Sequence, residues 1–112
     1  MTAIAGHIHP PTVPEQIAAL LALRLRVADQ TRELAGRELR AREIRWELEQ
    51  ELTTTSKAEG EKRAKVHPRY IAFEESTIQL AHQRDETLAH AETARLEILM
   101  HLQAAALTGG AS

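Results

Sequence analysis

Apolar residues recur every seven positions along the first half of the chain. The row consists of Val13, Leu20, Val27, Leu34, Ala41 and Leu48. Further apolar residues lie three or four positions from its members, namely Ile17, Leu23, Ile44 and Leu52. This spacing keeps one face of an α-helix apolar over several heptads, as in coiled coils. The pattern predicts a first helix over 13–52, which Thr12 and Glu15 begin as a capping box.

A connection is predicted at 53–67. The threonines at 53–55 are β-branched and weaken a helix. Ser56 and Glu59 match a second capping box. His67 is pushed out of the helical region by the proline that follows it, and Pro68 is well placed to begin a new helix. One short helical turn fits within this connection. The alternative is a first helix that continues to about Lys65, because Lys, Glu and Ala are good helix formers.

A second helix of similar length is predicted over 68–107, since no glycine or proline interrupts it before Gly109. Its apolar stripe is read through Ile71, Glu74, Ile78, Ala81, Asp85, Leu88, Glu92, Leu96, Leu99, Leu102 and Ala106. Three acids interrupt this stripe. Charged positions in a helix seam lower stability but fix register and partner choice. Asp85 and Glu92 are expected to meet arginines of the first helix, for which Arg24, Arg37 and Arg45 are candidates.

Two helices of matched length joined by a turn predict an all-α fold, a long antiparallel helical hairpin with coiled-coil character. The domain organisation is a flexible Pro-rich arm at 1–12, the hairpin at 13–107 and a flexible tail at 108–112. One hairpin cannot bury all the apolar positions, so self-association into a four-helix bundle is expected, with a dimer as the simplest assembly. Helix exchange between chains and one continuous helix are the alternatives. The predicted oligomer interface comprises Leu20, Val27, Leu34, Leu48, Ile78, Leu88 and Leu99.

A second apolar set lies on the opposite side of the first helix. Leu25, Leu39 and Trp46 share a row that Arg32 interrupts. A helix that is apolar on two faces usually lies between two partners. These three residues are the predicted binding site for a heterologous protein partner, although scattered apolar residues are also common on protein surfaces.

Composition narrows the range of functions. The chain has 112 residues, no cysteine and a formal net charge of −2, so disulfides, thiolate zinc sites and cysteine nucleophiles are excluded. No apolar run is long enough to span a membrane, and the first 14 residues do not resemble a signal peptide. A cytoplasmic, non-membrane protein is therefore expected. No nucleophile motif or glycine-rich phosphate loop occurs, so no enzymatic activity and no cofactor are predicted.

The lysines and arginines near the connection form the one basic segment. Lys57, Lys62, Arg63, Lys65 and Arg69 lie within it, and Tyr70 and Phe73 follow. Cations track phosphates and aromatic rings stack on bases. The alternative function is thus an accessory nucleic-acid-binding protein of recombination or replication. Against it, Glu59 and Glu61 dilute the charge, and the two aromatic residues fit a hydrophobic clasp at the bundle end.

A polar row on the second helix offers the strongest metal-like spacing. His82, Glu86 and His90 lie four positions apart, and imidazole with carboxylate suits zinc or iron. The first helix supplies no histidine, whereas carboxylate-bridged metal bundles need ligands from several helices. A solvated polar face is the competing interpretation, and no metal is predicted. His7 and His9 form a second short pattern in the Pro-rich arm.

The segment 56–65 reads SKAEGEKRAK and is followed by Pro68, Arg69, Tyr70 and a long acidic helix. Together with 11 arginines to three lysines, this resembles small all-helical accessory proteins of actinobacteria or their phages over about residues 40–105. The resemblance implies a host or phage protein as partner and no catalytic residue. The sequence therefore predicts a non-enzymatic protein-protein interaction module of bacteriophage or host-regulatory type, which oligomerises and binds a partner through an apolar helix face.

Overall fold

The computed structural model describes residues 10–52 and 56–110, and every regular element in these ranges is a helix. Helix α1 spans Val13–Glu51, α2 spans Lys57–Lys65 and α3 spans Pro68–Gly110. The all-α fold is confirmed. The predicted connection contains a nine-residue helix, α2, where the sequence suggested either one short helical turn or a first helix that continues to about Lys65. The Pro-rich arm up to residue 9, the threonines at 53–55 and residues 111–112 lie outside the described residues.

The first helix begins with the predicted capping box. The backbone N–H of Glu15 donates to the Thr12 hydroxyl at 3.3 Å, and the Thr12 N–H donates to the Glu15 carboxylate at the same distance. Each side chain satisfies a donor that the first turn of a helix leaves unpaired. Pro14 lies in that first turn, where its missing N–H removes no helical hydrogen bond.

The boundaries of α2 and α3 follow from local chemistry as well. The Ser56 hydroxyl accepts the backbone N–H of Glu59 at 3.2 Å and caps α2. His67 Nδ1 accepts the N–H of Arg69 at 3.1 Å, and α3 starts at Pro68. His67 is thus the helix-entry residue that the sequence predicts. Helix α3 continues to Gly110, although the sequence predicts a tail from residue 108. Thr108 Oγ1 donates to the carbonyl of Ala104 at 2.7 Å, as in the body of a helix.

The chain forms two compact units, each containing part of α1 and part of α3. The central unit is Arg26–Thr87, and the terminal unit combines Met1–Leu25 with Leu88–Ser112, of which residues 10–25 and 88–110 are described. In the central unit Arg37 contacts Thr77 whereas Glu47 contacts Arg69. The position on α1 rises as the position on α3 falls, so the segments run antiparallel. This is the helical hairpin that the sequence predicts.

The central unit holds the best-defined core. Ile44, Leu48 and Ala64 are buried, and Tyr70 and Phe73 pack against them. Each of the three helices contributes to this cluster, so α2 closes the end of the hairpin. Among the described residues of the terminal unit, the buried apolar ones are Ala91 and Ile98. In this unit Gln16 of α1 is hydrogen-bonded to His101 of α3 at 2.8 Å, and the charge of Arg24 on α1 lowers the pKa of Glu92 on α3. The two helix segments therefore run antiparallel here as well.

The seven-residue row of α1 faces the inside of the fold, as the pattern predicts. Leu48 is buried and the other members of the row are half-buried. On α3 the inward row differs from the predicted stripe by one position. It comprises Tyr70, Phe73, Thr77, Leu80, Arg84, Thr87, Ala91, Ala94 and Ile98. Ile71, Ile78 and Leu88 of the predicted stripe are exposed. Threonines and alanines hold several of the packed positions of α3, namely Thr77, Thr87, Ala91 and Ala94. Their small size lets α1 approach closely.

Candidate protein-interaction surfaces

The predicted partner-binding residues are exposed in both units. Leu25 of the terminal unit is 68% exposed, and Leu39 and Trp46 of the central unit are 61% and 62% exposed. All three occupy the side of α1 opposite its half-buried row. Leaving an indole this open is costly, since an aromatic side chain loses its large hydrophobic contribution in water. The surface around Trp46 is therefore the first candidate for a contact with another protein.

Trp46 stands between two shallow grooves of the central unit. The larger groove has a volume of about 630 Å³ and the other about 460 Å³. The larger groove is lined by Arg42, Arg45, Trp46, Glu49, Gln50, Leu52, Ser56, Lys57 and Glu61. The smaller is lined by Arg42, Glu43, Trp46 and Glu47. An apolar ring bordered by charges of both signs matches the centre and rim of a protein interface.

The structure divides the predicted oligomer interface into two groups. Leu20, Val27 and Leu34 are half-buried and Leu48 is 1% exposed, so these four pack within their own chain. The α3 members, Ile78, Leu88 and Leu99, are between 46% and 57% exposed. The α3 group is therefore the more open of the two, and the interface as a whole stays a prediction.

An arginine clamp that the sequence analysis missed joins α1 to α3 in the central unit. Arg37 Nη1 donates to Ser76 Oγ at 2.8 Å and to Thr77 Oγ1 at 3.2 Å. The Arg37 guanidinium carbon also lies 4.9 Å from the centre of the Phe73 ring, a cation–π distance. The sequence predicts an acidic partner for Arg37, whereas its partners in the structure are the two hydroxyl groups and the aromatic ring. The signal was present in principle, since Arg37 lies three residues after Leu34 on the inward side of α1.

A network of exposed ion pairs ties the turn end of the central unit. Arg69 Nη2 donates to Glu47 Oε2 at 2.6 Å, and Arg40 Nη1 donates to Glu47 Oε1 at 3.3 Å and to Glu43 Oε2 at 3.1 Å. The hydrogen bond from Arg69 and the positive charge of Arg40 hold the pKa of Glu47 below its ordinary value of 4.5. The hydrogen bond to Glu43 raises the pKa of Arg40.

The terminal unit has one comparable pair. Arg95 Nε donates to Glu92 Oε2 at 3.1 Å and its Nη2 donates to Glu92 Oε1 at 2.5 Å. This hydrogen bonding lowers the pKa of Glu92, and the positive charge of Arg24 on α1 lowers it further. The ion-pair partner of Glu92 is thus Arg95 of its own helix, and Arg24 of the first helix acts on Glu92 only through its charge. Asp85 instead lies 3.5 Å from its neighbour Arg84.

The basic segment is exposed but only partly free. Lys57, Lys62 and Lys65 form no ion pair within the described ranges, whereas Arg63 pairs with Glu59 at 2.8 Å and Arg69 with Glu47 at 2.6 Å. Both nearby aromatic rings are committed to the core, as Tyr70 and Phe73 pack on Ile44, Leu48 and Ala64. They form the hydrophobic clasp that the sequence offered as the alternative to base stacking. The rings are therefore not available for base stacking, while the three lysines stay exposed, and nucleic-acid binding by this segment stays a prediction.

The metal-like row does not form a ligand cluster. His82, Glu86 and His90 are exposed on α3, and no group of three His, Cys, Asp or Glu side chains within 10–52 and 56–110 is arranged to hold a metal ion. His7 and His9 lie outside the described residues. No described helix is long and apolar enough to cross a membrane.

Two polar atoms in the central unit stay unpaired although they are buried. Gln30 Oε1 and Arg84 Nε have no hydrogen-bond partner among the described residues. Gln30 lies on the inward side of α1, and Arg84 lies on the inward side of α3. The antiparallel pairing that brings Arg37 to Thr77 places Gln30 level with Arg84, two helical turns further along. Unpaired buried groups lower stability, so this layer is a weak point of the central unit.

No family model, no curated protein and no solved structure matches this chain. The resemblance to actinobacterial or phage accessory proteins therefore stays a prediction.

Proposed function

We propose that the chain is a non-enzymatic protein-interaction module, which binds other helical proteins through apolar helix faces that its own fold leaves open. The supporting observation is the balance of exposed and buried side chains. Fourteen large hydrophobic residues are exposed among the described residues, whereas the buried hydrophobic set consists of Ile44, Leu48, Ala64, Ala91 and Ile98. Single exposed apolar residues are ordinary, but contiguous apolar surface on a small protein marks an interaction site.

The surface around Trp46 supports a heterologous partner. The exposed indole supplies a large rigid apolar contact, and aromatic anchors of this kind carry much of the energy of protein interfaces. Arg42 and Arg45 on the same helix form no ion pair in the described part of the chain, so their charges are available to a partner. The ligand proposed for this surface is an amphipathic helix whose apolar side chain enters a groove beside Trp46, with carboxylates next to that side chain.

Trp46 is the only tryptophan of the chain, so its fluorescence reports directly on this surface. The experiment captures proteins from the source cells with the wild-type chain and with Trp46→Ala, and then purifies a protein that only the wild type retains. Titrating that protein should shift Trp46 emission to shorter wavelength, because the ring leaves water. The affinity should fall at least about tenfold for Trp46→Ala, a cost of about 1.4 kcal/mol.

The matched control is Leu107→Ala, which removes an exposed apolar side chain of the terminal unit. It should retain the same protein with unchanged affinity. If Trp46→Ala and the wild type capture and bind the same proteins equally, the Trp46 surface is not the binding site and the proposed partner contact is wrong.

A further inference from the structure

One side of the terminal unit carries apolar side chains from both helices. In an antiparallel pair, residues one or four positions after the packed row lie on the same side of the two helices. Ile17, Leu21 and Arg24 hold such positions on α1. On α3 they are held by Leu88, Glu92, Arg95, Leu99 and Leu102. The hydrogen bond between Gln16 and His101 at 2.8 Å sets the antiparallel pairing of the two helices. By the same pairing Arg24 lies level with Thr93, next to Glu92, and its charge lowers the pKa of Glu92. We name these eight residues the terminal face.

The α3 part of this face has a self-complementary order. Leu88, Glu92, Arg95 and Leu99 are arranged symmetrically about the midpoint between residues 93 and 94. When a second α3 is laid antiparallel across that midpoint, Leu88 of one chain meets Leu99 of the other. Glu92 then meets Arg95 of the second chain, and the same contacts recur on the other side of the two-fold axis. A closed dimer requires such an interface, in which one surface patch docks onto its own copy.

The apolar area of the terminal face suits a modest dimer. Ile17, Leu21, Leu88, Leu99 and Leu102 are each between 44% and 57% exposed. At about 30 Å² per carbon, these five side chains expose roughly 300 Å² of apolar surface. This area is similar to that of the smaller among the largest apolar patches found on monomeric proteins. One side of a standard interface buries about 800 Å², slightly more than half of it apolar. The aliphatic stems of Arg24 and Arg95 lie among the leucines and add to the apolar area.

Charge in the terminal unit does not oppose this contact. Its sequence segments contain five charged residues, namely Glu15, Arg24, Glu92, Arg95 and Glu97. Glu92 and Arg95 already neutralise each other within one chain. In an antiparallel dimer each also gains an opposite charge from the second chain, so no like charges meet along the α3 row. The charged pair at the centre of an apolar row specifies this one register, since a shifted register places a charge against a leucine.

We propose that the terminal face binds a second copy of this chain, with α3 antiparallel to α3 and centred between Glu92 and Arg95. The proposal rests on the proposed function, because it names the chain itself as one partner of the module. It uses a different surface from the Trp46 grooves, so the two are tested separately.

The solution mass is the first measurement. Light scattering coupled to size-exclusion chromatography should give twice the chain mass of 12.5 kDa at high concentration and a fall towards one chain on dilution. A chain that stays monomeric at every concentration up to about 1 mM, the weak limit of measurable association, overturns the proposal and leaves the terminal face to a different protein. That result would not affect the Trp46 capture experiment.

Charge reversal tests the register. Glu92→Arg alone and Arg95→Glu alone should each raise the dimer dissociation constant at least about tenfold, because each places like charges opposite one another. An equimolar mixture of the two variants should restore the dimer, since one chain then presents two positive charges and the other two negative charges. Mixing cannot repair the ion pair within each chain, so restoration separates a role between chains from a role within one helix.

The matched control reverses an exposed i, i+3 pair elsewhere on the surface. Asp29 pairs with Arg32 at 3.5 Å on α1, and Asp29→Arg should leave the dimer unchanged. Circular dichroism of every variant should show wild-type helix content. If the mixture of Glu92→Arg and Arg95→Glu stays monomeric while the wild type dimerises, the chain associates through another surface and the proposed register is wrong.

Discussion

The central and terminal units divide the charged and the exposed apolar residues unequally. The central unit holds 25 of the 30 charged residues of the chain, and the segments of the terminal unit hold five. Nine of the 14 exposed large hydrophobic residues belong to the terminal unit: Ile17, Leu21, Leu25, Leu88, Leu96, Leu99, Met100, Leu102 and Leu107. The same two helices thus form a charged unit with a closed core and an apolar unit with little of its surface covered.

The two units are stabilised by different numbers of helix contacts. In the central unit α2 supplies the third element that closes the core over Ile44 and Leu48, and the Arg37 clamp and the Glu47 network join α1 to α3. The terminal unit has only two helix segments, which form a single layer of contact. A helix that is apolar on several sides is normally surrounded by partners. The terminal unit is therefore the part of the chain that the proposed assembly would stabilise most.

The largest expected effect is a loss of stability on shortening Leu48, and it tests whether the core lies in the central unit. Leu48→Ala should lower the free energy of unfolding by about 3 kcal/mol, because it leaves a cavity at the most buried large side chain. Leu107→Ala, at a residue that is 73% exposed, should change it by no more than about 0.5 kcal/mol. Urea unfolding followed by circular dichroism measures both. Equal losses for the two variants would remove the contrast between the units.

The sequence predicts α1 correctly because its packed row is apolar throughout, with leucine or valine at every position from Leu20 to Leu48 except Ala41. It misplaces the inward row of α3 by one position for the opposite reason. Thr77, Thr87 and Ala91 pack inward there, and hydrophobicity ranks them below the exposed isoleucines and leucines beside them. A search for large apolar residues therefore finds the exposed stripe of α3, which includes Ile78 and Leu88. The sequence analysis assigned these residues to an interface with a second chain.

Contacts between distant residues account for the rest of what the sequence could not predict. The Arg37 clamp joins residues 39 and 40 positions apart, and no local periodicity encodes such a pair. The length of α2 is also hard to predict, because the threonines at 53–55 weaken a helix, whereas the burial of Gly60 and Ala64 that holds α2 in place depends on the rest of the fold. The exposed side of α1 at Leu39 and Trp46 was easier to recognise, because an apolar row opposite a coiled-coil seam depends on helix geometry alone.

A smaller effect concerns the polar layer inside the central unit. Replacing Gln30 and Arg84 together by leucine should raise the free energy of unfolding by about 1–2 kcal/mol, because two buried polar atoms without partners are removed. Each single variant should gain less than the pair, since one polar group then remains. The urea midpoint measures the gain. A loss of stability in the double variant, with helix content unchanged, would show that the layer contributes favourable contacts, and the central unit would then have no such weak point.

The smallest effect is the pH dependence of the ion pairs, to which Glu47 of the central unit and Glu92 of the terminal unit both contribute. The pKa of Glu47 is lowered by its hydrogen bond from Arg69 and by the charge of Arg40, so the folded chain binds its proton less readily than the unfolded chain does. Its stabilisation is complete above the ordinary value of 4.5 and is lost as the pH falls through the lower, folded value. The urea midpoint of the wild type should therefore decrease on acidification below pH 4.5. Glu47→Gln should show a shallower decrease, whereas Glu38→Gln on the same helix should follow the wild type. If Glu47→Gln and the wild type lose stability in parallel, the Arg69–Glu47 contact does not stabilise the turn end of the central unit, and its closure depends on the buried cluster alone.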